Sequence, residues 1–316
     1  MRTCLCCGKP LKNENGNPYH DACLMRFFGT KVLPEIVLDA KSLESLALKN
    51  ASEGLSVPGV QKKLSLHLSV ENKRSRLTLV DYPTGYILKP QVDEYESLPE
   101  LEWLSMRLAD LVGISTVPHA LVRINDEYAY LSKRIDRRIE NLKMKKIAME
   151  DFCQLDLRLT EDKYHGSYEQ CAKIISKYSG RPGIDLSELF VRVVFSYIIG
   201  NSDMHLKNLS LIETNEENGV YVLSPAYDLL AVNVILPEDD EEFALTLNGK
   251  KKHITKNDFY SFGSYCGLSK ASCQKMMKRL CSFEDEFISE INNSVLNEDL
   301  KTAFTELVKR RCSALK

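Results

Sequence analysis

The chain has 316 residues, and its 42 Lys plus Arg stand against 44 Asp plus Glu for a net charge of −2. That balance excludes bulk attraction to nucleic acid, and the length suits one large two-lobed domain with a small appendage. No run of about eighteen apolar residues is present, so no membrane-spanning helix is expected. A cysteine-rich stretch follows Met1 where a signal peptide would place an apolar run.

In chain order, the first feature is Cys4-x2-Cys7, followed after twelve residues by His20-x2-Cys23. Two close pairs separated by a loop form a Cys3His pattern for tetrahedral zinc. Gly8 suits a tight turn around sulfur, and Lys12 to Pro18 has a hairpin-loop composition that needs a metal to supply its core. Cys6 is an alternative to Cys4 or Cys7, so the first pair is open at this stage. Residues 1–45 are expected to be a small zinc-ribbon-like module with a structural Zn²⁺ at Cys4, Cys7, His20 and Cys23. The remaining cysteines, Cys153, Cys171, Cys266, Cys273, Cys281 and Cys312, scatter through helical patterns and fit apolar packing in a reducing, cytoplasmic compartment.

Gly54 to Lys63 reads as a Pro-Gly turn between strands, whose N–H groups can also cradle an anion. It is not a Walker A motif. Leu64 to Val70 alternates as a half-buried strand, and Leu77 to Val80 reads as another. Tyr86 to Pro90 reads as a strand bearing Lys89. Pro99 starts a helix that carries Leu101, Leu104, Leu108 and Leu111, and Gly113 ends it. Glu102 on that helix is a candidate partner for Lys89, although glutamates on helices more often face solvent. Ala120 to Ile124 and Tyr128 to Ser132 add strands. Arg134, Arg137, Arg138, Lys143, Lys145 and Lys146 form a basic stretch that fits a solvated face around the hinge, with DNA, tRNA or an acidic partner as the alternatives.

Residues 151–199 and 269–314 are helical in pattern. Leu189 to Ile199 is apolar nearly all round and reads as a buried helix that Gly200 stops. The polar run Asn201-Ser202-Asp203-Met204-His205-Leu206-Lys207-Asn208 leaves that support. Asp203 and Asn208 have the Asp-x4-Asn spacing of a kinase catalytic loop, where the Asp takes a hydroxyl proton and the Asn holds magnesium. Leu209 to Ile212 and Val220 to Leu223 read as a strand pair. Asp228 follows, as either a second metal ligand or a helix N-cap. Glu238 to Glu242 is an acidic loop read as exposed.

The chain resembles the HipA-like kinases in several segments. These are Ser56 to Lys63, Ile87-Leu88-Lys89, Glu150 to Gln154, Asn201 to Ser210 and Tyr227-Asp228, in the family's order, and the resemblance covers roughly residues 50–316. It implies an α+β, two-lobed, protein-kinase-like fold with a mostly helical C-terminal lobe. The N-lobe would span 46–135 and the C-lobe 136–316. It implies an ATP- and Mg²⁺-dependent serine/threonine protein kinase, a toxin of a toxin–antitoxin system. Known members phosphorylate an aminoacyl-tRNA synthetase, so a protein substrate of that kind is implied.

Carried over by resemblance, Asp203 is the catalytic base, Asn208 and Asp228 bind Mg²⁺, and Lys89 pairs with ATP phosphates. Val57, Pro58, Gly59, Val60, Gln61, Lys62 and Lys63 cover those phosphates. His205 and Lys207 line the nucleotide site. Lys133, Arg134 and Ile135 fall where the family's hinge meets adenine. Lys133 departs from the acidic residue of the best-known members, which puts a side-chain contact to adenine in doubt. Ser56 falls where members autophosphorylate, and added charge beside a phosphate cradle would act as an off-switch. The short N-terminal segment resembles split, HipT-like members that rely on a separate small protein. An antitoxin partner, with DNA reached only through it, is also implied. A small-molecule or lipid kinase and a non-catalytic zinc-containing scaffold are the alternative functions.

Overall fold

The computed structural model describes residues 3–11, 16–37, 63–71, 74–78, 85–124, 126–140, 143–214 and 218–316. The chain divides into two units. One spans Met1–Trp103 and Val117–Lys145, and the other Leu104–Thr116 and Lys146–Lys316. The described residues 3–11 and 16–37, expected from the sequence as a module over 1–45, fall in the first of these units.

The first unit contains α1 (Asp21–Phe28), β1 (Glu35–Val37), β2 (Leu64–Glu71), β3 (Arg74–Thr78), β4 (Tyr86–Pro90), the start of α2 (Leu98–Leu111), β5 (His119–Ile124) and β6 (Glu127–Lys133). A two-stranded ribbon of β7 (Arg137–Glu140) and β8 (Lys143–Lys146) follows. Six strands form one sheet in the order β1-β3-β2-β4-β6-β5. All pairs are antiparallel except β1 with β3. Tyr86 and Leu88 alternate with Ile87 and Lys89 along β4, so successive side chains point to opposite faces. Leu66, Leu77, Leu88, Ala120, Leu121 and Leu131 are fully buried.

The expected zinc ribbon is corrected here. Cys4 and Cys7 do sit in a knuckle, where Gly8 takes φ 64 and its N–H reaches the Cys4 carbonyl at 2.7 Å. His20 and Cys23 instead lie at the start of α1, with His20 as the residue before the helix. The second pair is therefore carried by a helical turn. Asp21 and Cys23 favour that turn as an acidic first residue and an apolar inward one.

The second unit contains β9 (Met149–Asp151), α3 (Phe152–Leu155), a 3₁₀ turn at Thr160–Asp162, α4 (Tyr168–Tyr178), α5 (Pro182–Ile199), a 3₁₀ turn at Leu206–Asn208, β10 (Ser210–Glu213) and β11 (Tyr221–Leu223). Next come α6 (Val232–Ile235), α7 (Lys256–Tyr265), α8 (Lys270–Cys281), α9 (Glu284–Asn292) and α10 (Glu298–Leu315). The stretch 151–199 is more broken than its pattern suggested. Asp151 pairs with Ser210 in the sheet β11-β10-β9, and the chain between α3 and α4 is largely irregular. The core is aromatic: Tyr168, Phe243, Phe259, Phe262 and Tyr197 meet mostly edge to face or tilted, with ring centroids 5.1–6.4 Å apart. The six scattered cysteines are all buried. Among the described residues, no helix is long and apolar enough to cross a membrane.

Candidate active site

Helix α5 is the platform. Pro182 opens it, where a missing N–H costs nothing. Nearly every residue from Leu189 to Ile199 is buried. Gly200 closes it in the left-handed conformation, φ 72, and its N–H returns to the Ser196 and Tyr197 carbonyls. The polar loop starts at that reversal. Met204 and Leu206 are buried to 1% and 0% exposure on either side of His205. Each anchor stabilises the loop by about 1.5–3 kcal/mol. The Tyr168 hydroxyl also donates to the Met204 carbonyl at 3.0 Å, and the Leu206 N–H to the Lys163 carbonyl at 3.1 Å.

Between these anchors Asp203 is left half-buried. Its backbone N–H is held by the Asn201 side chain at 3.2 Å, and the Tyr164 hydroxyl donates to its Oδ1 at 2.8 Å. Burial and the negative charge of Asp203 hold the Tyr164 phenol above its ordinary range, so Tyr164 stays a donor at neutral pH. Asn208 is buried. Its Oδ1 accepts from the His205 N–H at 3.1 Å, and its Nδ2 donates to Asp228 Oδ2 at 2.8 Å. Asp228 is not the N-cap expected as one option, since the following helix α6 is capped at Ala231. It lies in an irregular segment with φ 61, a conformation that costs a non-glycine residue about 1–3 kcal/mol.

The structure thus gathers Asn208 and Asp228 directly and sets Asp203 on the same short loop. Carboxylate and amide oxygens are the donor type Mg²⁺ takes; here Asn208 turns its Nδ2 to Asp228 and its Oδ1 to the His205 N–H. The Lys207 ammonium pairs with Asp151 at 2.8 Å, so the Glu150–Gln154 segment is tied to the loop. Asp151 also caps α3 through a reciprocal bond with Gln154. His205 places its ring 5.0 Å from that of Tyr164, edge to face.

In the first unit, Lys89 and Glu102 form a buried ion pair at 2.5 Å, with the two side chains 5% and 1% exposed. The Lys89 ammonium also lies 5.5 Å from the centre of the Tyr130 ring. Lys133 ends β6 half-buried, and Ile135 is half-buried just beyond it. Arg134 and Arg137 of the basic stretch both pair with Asp136 at 2.7 Å. Lys63 is exposed. Ser56, Val57, Pro58, Gly59, Val60, Gln61 and Lys62 lie outside the described residues.

Sequence reasoning missed three supports. Tyr164 meets Asp203 across 39 residues of chain, which no local pattern announces. The hydroxyls of Ser210 and Tyr227 share a hydrogen bond at 2.5 Å, and the Tyr227 hydroxyl reaches the Lys207 carbonyl at 2.9 Å, bracing the loop from β10. The acidic loop is not simple exposed filler: Ser202 donates to Asp239 at 3.1 Å, and Asn233 donates to the Glu241 carbonyl at 3.1 Å.

Residues 55–287 match the family model described as the HipA-like C-terminal domain. The chain belongs to that family. A Haemophilus influenzae protein named "Putative kinase" is 28% identical over 264 residues, which cover 76% of this chain and 75% of that protein. A Sinorhizobium fredii protein of the same description, Y4mE, is 25% identical over 290 residues, covering 89% of this chain and 65% of its own length. Two solved structures share the fold. The Shewanella oneidensis toxin–antitoxin protein HipA, in complex with HipB and operator DNA, aligns with a TM-score of 0.70 at 19% identity, over 96% of this chain and 79% of that one. The Helicobacter pylori proinflammatory kinase CtkA aligns with a TM-score of 0.54 at 15% identity, over 78% of this chain and 93% of that one. The mixed helix-and-sheet fold of the HipA-like kinases expected from the sequence is the fold observed.

Proposed function

We propose that this HipA-like chain is an ATP- and Mg²⁺-dependent kinase that phosphorylates serine or threonine hydroxyls of a protein. The observation that carries the reading is the constellation on one loop: Asp203 on a rigid support, with Asn208 hydrogen-bonded to Asp228. The acceptor hydroxyl gives its proton to the Asp203 carboxylate as its oxygen attacks the γ-phosphorus, and ADP leaves. Asn208 and Asp228 would hold the metal, which when bound would supply positive charge to offset the charge growing on the phosphates. Lys89, oriented by Glu102, meets the phosphates as a point charge. Tyr164 orients the Asp203 carboxylate. Lys207 is held by Asp151 beside the loop, and His205 stiffens it through its N–H to Asn208.

The nucleotide reading extends to segment 57–63 over the phosphates and to Lys133 and Ile135 at the adenine. Phosphorylation of Ser56 would add close to two negative charges beside that segment and turn the enzyme off. The HipA relative bound to HipB and DNA supports an antitoxin partner and a toxin role, with DNA reached only through that partner. A separate small protein taking the place of a larger N-terminal domain belongs to the same reading. Purified chain incubated with γ-labelled ATP, Mg²⁺ and cell extract tests it. Label on serine or threonine that needs Mg²⁺ supports the proposal, whereas label confined to small molecules or lipid would replace it with the alternative kinase reading. An intact-mass gain of one phosphate in wild type, absent in Ser56→Ala, tests the switch.

A further inference from the structure

The N-terminal cysteine cluster precedes the stretch matched by the family model and plays no part in the proposed phosphoryl transfer. We propose that Cys4, Cys7, His20 and Cys23 bind one structural zinc ion, and that this ion clips the N-terminal segment onto the edge strand β5.

The ligand atoms of these four residues all lie within 4.8 Å of one another. Cys7 Sγ is 3.3 Å and Cys23 Sγ 3.9 Å from His20 Nδ1. Zinc bonds of about 2.0–2.3 Å in a tetrahedron put neighbouring ligand atoms at about 3.3–3.8 Å, so little movement is needed. The supporting shell is already formed. His20 Nε2 lies 3.0 Å from the Pro10 carbonyl. A carbonyl only accepts, so Nε2 carries the hydrogen and Nδ1 presents its lone pair to the thiol cluster. Backbone bonds from Gly8 to Cys4 and from Cys4 to Lys9 close the knuckle around the sulfurs at 2.7 and 2.9 Å. Three thiolates and one imidazole select zinc, and four protein ligands make a closed, structural site. The fifth thiol in the neighbourhood is outside that four-residue group: Cys6 Sγ donates to the His119 carbonyl at 3.8 Å. The ambiguity among Cys4, Cys6 and Cys7 is resolved in favour of the outer two.

The ligands flank the residues that cover β5. Leu5, between Cys4 and Cys6, offers its carbonyl to the Leu121 N–H at 2.8 Å. Tyr19, next to His20, donates its hydroxyl to the Leu121 carbonyl. Both outward backbone groups of Leu121, on the last strand of the six-stranded sheet, are thereby satisfied. An edge left open is a template for pairing with another chain. The helix that begins at the second ligand pair then carries Phe27 and Phe28 to Tyr86, with ring centroids 5.6 and 5.8 Å away, and the Tyr86 hydroxyl donates to the Phe27 carbonyl at 2.9 Å. One ion thus supports two contacts, one to β5 and one to Tyr86 of β4.

Plasma mass spectrometry of the full chain, purified without chelator, tests the site. One zinc per chain is expected in wild type and in Cys6→Ser, and less than about a tenth of that in His20→Ala and Cys23→Ser. Wild-type protein that stays zinc-free after zinc is supplied, or a Cys23→Ser form with full zinc, overturns the proposal. Should those variants fail to fold, cobalt(II) in the wild type gives a second readout. Intense visible bands and thiolate charge transfer, lost on adding zinc, are expected; weak octahedral bands overturn it. Amide exchange by mass spectrometry tests the clip. Zinc removal is expected to speed exchange in the peptide holding Leu121 at least tenfold, and an unchanged rate refutes the coupling.

Discussion

Tyr164 sets the terms at the scale of a single residue. Its hydroxyl is 2.8 Å from the Asp203 carboxylate and holds one of its oxygens. A hydrogen bond to a charged group contributes about 1.5–3 kcal/mol. Tyr164→Phe should therefore lower the turnover number by about tenfold and leave the Michaelis constant for ATP within about twofold, measured by steady-state phosphotransfer. An unchanged turnover number would remove Tyr164 from the positioning role. Nothing local in the sequence suggested this contact. By contrast, the Asp203–Asn208 spacing was legible because both partners lie on one loop. The Lys89–Glu102 pair was legible only as one option, since a glutamate on a helix gives no sign of its burial until strand and helix are packed.

At the scale of elements, the joint between α5 and the polar loop is decisive. Gly200 takes φ 72, and a side chain there would overlap Leu307 and crowd Asn233 at 3.2 Å. The left-handed backbone alone costs an alanine about 1–2 kcal/mol, and the overlap with Leu307 adds to it. Gly200→Ala should destabilise the chain by about 2–4 kcal/mol in urea titration and reduce activity more than a surface substitution of equal cost. A stability change under about 0.5 kcal/mol would show that the turn is not under this constraint.

The long elements were readable for the same physical reasons: a fully apolar stretch ended by glycine, strands alternating in polarity, and leucines at helical spacing in α2. Helix α7 was not anticipated, because Ser261, Gly263 and Ser264 dilute its pattern. Gly263 is required there by close packing, since a Cβ would overlap Cys273 of α8. The second Cys/His pair opens a helix, which the spacing of the pairs could not show, because it does not report whether a strand turn or a helix carries them.

At the scale of the whole molecule, burial of phenols and thiols sets the alkaline limit of stability. Burial pushes Tyr86 up to about 12 and raises Tyr164, Tyr168 and Tyr227 as well. Burial likewise pushes the Cys266 thiol up to about 12. Above the ordinary values of these groups, about 9 for the thiol and 10 for the phenols, the unfolded chain releases protons that the folded chain keeps. Stability must then fall as pH rises, by about 1.4 kcal/mol per unit for each group titrating only in the unfolded state. Below pH 9 these groups add no dependence. Urea midpoints at pH 8 and pH 10.5 should show a clear drop at the higher pH, and a constant or rising midpoint would contradict the burial described.

Asp203, Asn208 and Asp228 are proposed to act together in phosphoryl transfer. Transfer of label from γ-labelled ATP, compared between wild type and Asp203→Asn at equal folded concentration with Mg²⁺, tests it most directly. Loss of the base should cut the rate by about 10²–10⁴-fold while far-ultraviolet circular dichroism and melting temperature stay close to wild type. A folded Asp203→Asn protein that transfers phosphate at the wild-type rate would exclude Asp203 as the base.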